Sequence, residues 1–136
     1  MELLLKENLP FITVTIDYEG ANLNIQNVLV DTGSASTIFA ADVVATIGIV
    51  PELTDMLQTI QGVGGMEVVF MRRVDGLQVE AHRLLNFDIE IGGMDYGFEI
   101  NGILGMDFLM QTGAVINLRD MTIEFSSEAF VKEILP

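Results

Sequence analysis

The chain predicts an all-β domain, barrel-like or sandwich, on three observations. Several short runs alternate apolar and polar residues, as half-buried strands do. Turns rich in glycine separate those runs, and helical spacing of apolar residues is confined to brief stretches. Apolar residues make up 50% of the 136 and are spread along the chain, enough for one full core. We read residues 1–136 as a single domain, with the core at about 10–125 and a tail at 126–136.

The elements follow in order. Over residues 11–18, Ile12, Val14, Ile16 and Tyr18 fall on one side of a strand, with Phe11, Thr13, Thr15 and Asp17 on the other. Glu19-Gly20 is a turn, and residues 23–30 form a second strand whose apolar end, Val28-Leu29-Val30, runs into Asp31. Ala40, Val43, Val44 and Ile47 recur at helical spacing, and Gly48 stands where a left-handed C-cap belongs. Strands over 57–61 and 66–74 flank Gly62-Val63-Gly64-Gly65, and two more alternating runs, 77–82 and 87–91, lead to the turn signal Gly92-Gly93. From Ile100 the pattern is strand, Gly105, a brief helix over 107–111, Gly113, then strands over 114–118 and 121–125. The tail reads as a short amphipathic helix capped by Ser126 or Ser127.

Composition narrows the function. Six basic residues against twenty acidic ones give a net charge of −14. Such a surface repels phosphate backbones, so no nucleic-acid partner is expected. The charge serves to keep an apolar-rich chain in solution, or else to attract basic partners. With no cysteine there is no disulfide, thiol nucleophile or cysteine metal site. The N-terminus makes a poor signal peptide, and no uncharged apolar stretch reaches the eighteen or so residues that span a bilayer. A cytoplasmic protein with no membrane association is expected. His82 is the lone histidine, without a serine elbow, and reads as a surface strand residue rather than part of a triad. The acidic residues lack calcium-loop spacing, the glycine-rich segment lacks the Lys-Ser/Thr of a phosphate loop, and the eight methionines read as core filler. No metal or cofactor is predicted.

The chemistry centres on Asp31-Thr32-Gly33, which occurs once. A lone carboxylate on a tight glycine turn after a buried strand suggests half of an aspartic-protease site. Gly62-Val63-Gly64-Gly65 lies about thirty residues downstream, and Ile103-Leu104-Gly105 about forty beyond that. In this order and spacing the chain, from Pro10 to Phe125, resembles the retropepsin-like aspartic proteases, single-domain dimeric relatives of pepsin. The run Gly102-Ile103-Leu104-Gly105-Met106-Asp107-Phe108-Leu109 resembles their bacterial branch.

The resemblance implies a closed barrel with a glycine-rich flap hairpin and one or two short helices. It also implies a homodimeric aspartic endopeptidase acting on peptide or protein substrates, without cofactor. Hydrolysis then needs a base to activate water and an acid to protonate the scissile group. Asp31 and the partner's Asp31 supply both, because two carboxyl groups that close cannot both ionise. The resemblance implies specific roles. Thr32 bonds across the dimer axis, Gly33 lets backbone approach the carboxylate, and Ser34 can donate to it. Gly62, Val63, Gly64 and Gly65 close over the substrate. Ile103, Leu104 and Gly105 pack under the catalytic loop, Asp107 caps or opens the short helix, and Arg72-Arg73 is a solvated pair near the flap base. A longer tail and a longer 77–100 segment depart from the minimal viral enzymes. Two rival readings remain: a catalytically weak retropepsin-fold peptide-binding or dimerisation module, and a β-barrel that binds small molecules.

Overall fold

The structure, a computed structural model, describes residues 1–55, 57–62, 65–94 and 99–126, with 57–62 and 65–68 described through their backbone only. Ten strands are described: β1 (Leu4–Lys6), β2 (Leu9–Tyr18), β3 (Ala21–Val30), β4 (Ile38–Ala40), β5 (Leu57–Gly62), β6 (Gly65–Val79), β7 (His82–Gly92), β8 (Gly102–Leu104), β9 (Val115–Asn117) and β10 (Thr122–Glu124). The helices are short: α1 (Ala41–Val44), which continues as a 3-10 turn over Ala45–Ile47, and α2 (Met106–Gln111). The first eight strands form one sheet in the order β1-β2-β3-β8-β4-β7-β6-β5, and an extra β2–β6 pairing closes six of them into a mixed barrel. Among the described residues no helix is long and apolar enough to cross a membrane.

Local chemistry explains most of these elements. Lys6 pairs with Leu9 and Tyr18 with Ala21, so two-residue turns join β1 to β2 and β2 to β3. Glu7 and Asn8, then Glu19 and Gly20, take the left-handed backbone such hairpins demand. The helical reading at 40–47 holds as α1 and its 3-10 continuation, ended by Gly48 at φ 87°. β2 buries Ile12, Val14, Ile16 and Tyr18 as its alternation predicts; Phe11 is buried as well.

Between Ile12 and Val14 on one strand, and Val28 and Ile25 on the other, the β2–β3 register slips. Two residues of β3 there oppose one of β2, a bulge with Asn27 at φ 59°. The bulge resets the inward phase of β3 from Ile25 to Val28 and Val30. The face on which the strand arrives at Asp31 is therefore set by Asn27, not by uninterrupted alternation.

Three expectations change. Residues 77–82 are not a separate strand: Leu77 to Val79 ends the fifteen-residue β6, and the chain reverses at Glu80 (φ 52°) into β7. β1 and β4, at three residues each, are too short to show a period and were not anticipated. The methionines are not uniformly core: Met1, Met106 and Met121 pack against it, whereas Met110 is exposed. The tail helix expected after Ser126 lies outside the described residues.

The core fills the barrel with Val14, Ile16, Ile25, Val28, Phe39, Val74, Leu77, Ile89, Ile91 and Leu104. Phe108 of α2 extends it, packing edge-on against Phe87 at 5.9 Å and Phe125 at 6.0 Å between ring centres. The β9–β10 ribbon joins through buried Ile123, whose amide and carbonyl bond the N-terminal Met1.

Candidate active site

Strands β3 and β4 are joined directly by residues 31–37, yet they are not neighbours. β8 lies between them, parallel to β3 and antiparallel to β4. The connecting loop must therefore pass over the end of β8, and Asp31 is its first residue. The Asp31 amide donates to the Leu104 carbonyl at 3.1 Å, continuing the β3–β8 ladder by one bond. The loop then folds back: Ser34 N–H donates to the Asp31 carbonyl at 3.3 Å, and Gly33 N–H to Asp31 Oδ1 at 2.8 Å. That second bond is an Asx turn, which aims the carboxylate without help from a neighbouring strand. Among the described residues Oδ2 accepts no hydrogen bond. Asp31 is half-buried, and Thr32 and Gly33 are exposed at the loop tip.

Beneath the loop, the expected Ile103-Leu104-Gly105 turn is in contact with it. Leu104 is fully buried. Gly105 sits so close to the loop that a Cβ there would lie 2.2 Å from the Ser36 carbonyl oxygen and 2.9 Å from that of Ser34. Past the glycine, Met106 N–H donates to Ser34 O at 2.8 Å and Asp107 N–H to Ala35 O at 3.2 Å, so the first turn of α2 holds the loop backbone.

Thr37 and Asp107 form the clamp that the sequence reading missed. Thr37 is fully buried; its hydroxyl donates to Asp107 Oδ1 at 2.7 Å and accepts from Gly105 N–H at 3.0 Å. Its own N–H donates to Asp107 Oδ2 at 3.0 Å. Asp107 Oδ1 also accepts from Phe108 N–H at 2.8 Å. Asp107 is thus a first-turn residue of α2, as its place in the sequence predicted, and both its oxygens are committed to the scaffold. The signal available in the sequence was a threonine six residues after Asp31, which no periodicity rule distinguishes.

Other site expectations shift on inspection. The Ser34 hydroxyl donates to the Ser36 carbonyl at 2.7 Å, shaping the loop rather than reaching the Asp31 carboxylate. β5 and β6 pair from Leu57 with Phe70 to Gly62 with Gly65, a hairpin at the expected place; Val63 and Gly64 lie outside the described residues. His82, the first residue of β7, is half-buried rather than fully exposed: its ring lies tilted against Phe125 at 5.4 Å between centres, and Nδ1 is buried without a partner among the described residues. Arg72 and Arg73 are not an equivalent solvated pair. Arg73 is exposed and paired with Asp88, whereas the Arg72 side chain is only 9% exposed.

Chemically, the site offers one ionisable group on a hydrogen-bonded crossover loop, while Asp107 of the scaffold beneath it is already committed to Thr37 and Phe108. Among the described residues no cluster of histidine and acidic side chains could hold a metal ion. The sequence profile of an aspartyl protease family matches residues 12–108, from inside β2 to α2, a span that carries Asp31, the hairpin and the turn under the loop. Comparison with curated proteins finds no match.

Proposed function

Because the chain belongs to a retropepsin-like aspartyl protease family, we propose that it is an endopeptidase that works as a homodimer, with water activated between Asp31 and the partner's Asp31. The observation that carries this reading is the crossover loop, which presents one oriented carboxylate while Asp107, in the turn beneath it, is consumed by Thr37 and Phe108. General acid–base hydrolysis needs two such groups. A two-fold axis through the exposed loop tip supplies the second by symmetry, so one gene position provides both.

In this assembly one Asp31 is ionised and takes a proton from the attacking water. The other is protonated and donates to the scissile carbonyl. The two exchange roles as the tetrahedral intermediate breaks down and the amine leaves with a proton. Thr32, exposed in the single chain, faces the axis and bonds the partner loop. The β5–β6 hairpin covers an extended peptide and presents backbone amides to it. The net charge of −14 favours basic segments as encounter partners. Ile103, half-buried beside the loop, offers an apolar wall to the side chains flanking the cut.

The test is cleavage of a diverse peptide library between about pH 3 and 8, with wild type beside Asp31→Asn and both dimers verified by sedimentation. Cuts made by the wild type and absent from the variant are expected. Equal cutting by both would remove Asp31 from the mechanism, and no cutting by a verified wild-type dimer would leave the binding-module reading.

A further inference from the structure

A heavily bonded side chain lies away from Asp31, at the root of the β5–β6 hairpin. Arg72 stands on β6, opposite Ile89 of β7, and points into residues 50–55, the loop through which the chain enters the hairpin. Its Nη2 donates to Asp55 Oδ2 at 2.8 Å, to Asp55 Oδ1 at 3.1 Å and to the Val50 carbonyl at 2.8 Å. Nη1 donates to the Tyr18 hydroxyl at 3.0 Å, and Nε reaches Asp55 Oδ1 at 3.3 Å. The guanidinium carbon also lies 5.8 Å from the Tyr18 ring centre and 5.7 Å from that of Phe70. Glu52 adds a looser ion pair at 3.8 Å. Asp55 closes its own loop by accepting Glu52 N–H at 2.6 Å, while Asp55 N–H donates to Glu52 O at 3.0 Å.

Arg72 and Asp55 are respectively 9% and 7% exposed at their side chains. Withdrawing a charged pair from water is unfavourable unless every donor and acceptor finds a partner, and here Arg72, through its own strand and the two its fork bonds, ties together three separate pieces of chain. Those pieces are the last residue of β2, the entry loop of the hairpin, and the hairpin's own second strand. A planar guanidinium grips the Asp55 carboxylate through Nε and Nη2 while Nη1 reaches Tyr18; an ammonium, with its three donors on a single nitrogen, cannot reproduce that fork.

We propose that Arg72, with Asp55 as its counterion, is the positioning residue of the hairpin: it fastens the entry loop to the barrel at Tyr18, so that β5 and β6 leave the barrel at one fixed angle. The paired strands Leu57–Gly62 and Gly65–Phe70 then move as a unit about a pinned root, and closure over a peptide becomes a hinge motion rather than a general loosening. That the hairpin closes over a substrate rests on the protease reading above. The fastening itself does not.

Hydrogen exchange on the full-length protein separates the two. In Asp55→Asn and in Arg72→Lys, the paired amides of β5 and of 65–70 should exchange about tenfold faster, while amides of the β2–β3 ladder stay within about twofold of wild type. Tyr18→Phe, which removes one acceptor and leaves the ring, should give a smaller change in the same amides. It also serves should the charge variants fail to fold. On a cleaved peptide, the same variants should raise KM about tenfold and lower kcat less than threefold, because the hairpin binds and Asp31 reacts. Unchanged hairpin exchange, an equal rise throughout the barrel, or wild-type behaviour of Arg72→Lys would overturn the proposal. Faster hairpin exchange in the variants, with a sedimentation-verified wild-type dimer that cuts no peptide, would keep the fastening and reject the protease reading.

Discussion

Gly105→Ala puts the smallest possible side chain between the 31–37 loop and the turn beneath it. The backbone there is extended, φ −96° and ψ −175°, which alanine adopts freely, so no dihedral strain is involved. Space is the whole issue. A Cβ would stand 2.2 Å from Ser36 O and 2.6 Å from Ser36 C, both backbone atoms that no rotamer change can move. Restoring an ordinary contact of 3.4 Å needs about 1.2 Å of separation between loop and turn. The bonds that would have to stretch are Asp31 N–H to Leu104 O at 3.1 Å, Met106 N–H to Ser34 O at 2.8 Å and Asp107 N–H to Ala35 O at 3.2 Å. Another ångström takes each beyond hydrogen-bonding range. Overpacking of this kind costs about 1–3 kcal/mol, or roughly 4–12 °C in Tm for a chain of this size. Under the protease reading, a shift of about 1 Å in Asp31 lowers kcat/KM about a hundredfold. Melting at fixed protomer concentration, with peptide cleavage alongside, measures both. A variant melting within 2 °C of wild type (roughly 0.5 kcal/mol) would show that loop and turn are not packed as described.

Further outcomes follow from the same contacts. Thr37→Val keeps the shape but removes the donor to Asp107 and the acceptor for Gly105 N–H. The buried amide left unpaired and the lost bond to a carboxylate together destabilise by about 3 kcal/mol, readable as a lower urea midpoint at unchanged slope. Acid should loosen the hairpin root late. The hydrogen bond from Arg72 holds Asp55 below its ordinary value of 3.8, against the opposing effect of burial. A lowered folded-state value contributes stability above the unfolded value, lost as pH falls through the folded one. Hairpin exchange corrected for its intrinsic rate should therefore be flat from about pH 7 to about pH 4 and rise only below that, and an upturn near pH 6 would contradict the Arg72–Asp55 pairing.

The alternation over 11–18, the Glu19-Gly20 turn, the Gly48 cap and the apolar run ending at Asp31 were all legible because each is a local preference with a period or a turn chemistry of its own. The family resemblance was legible for a related reason: glycine turns at set distances from one carboxylate mark where backbone must approach closely. What stayed hidden depends on partners far along the chain. Nothing near Asn27 announces a bulge, because its place follows from how β2 and β3 count against each other. Thr37 and Asp107 are 70 residues apart, as Thr37 and Gly105 are 68, and only insertion of β8 between β3 and β4 brings them together. Arg72 looked like one of two surface cations until the barrel set Tyr18 and Asp55 around it. The sequence by itself determined the longer strands, the turns between several of them and the place of one carboxylate on its glycine turn, since these rest on neighbours within a few residues. Only the tertiary structure decided which side chains hold that carboxylate's loop and which pin the hairpin, because a hydrogen bond between distant residues leaves no period in the chain.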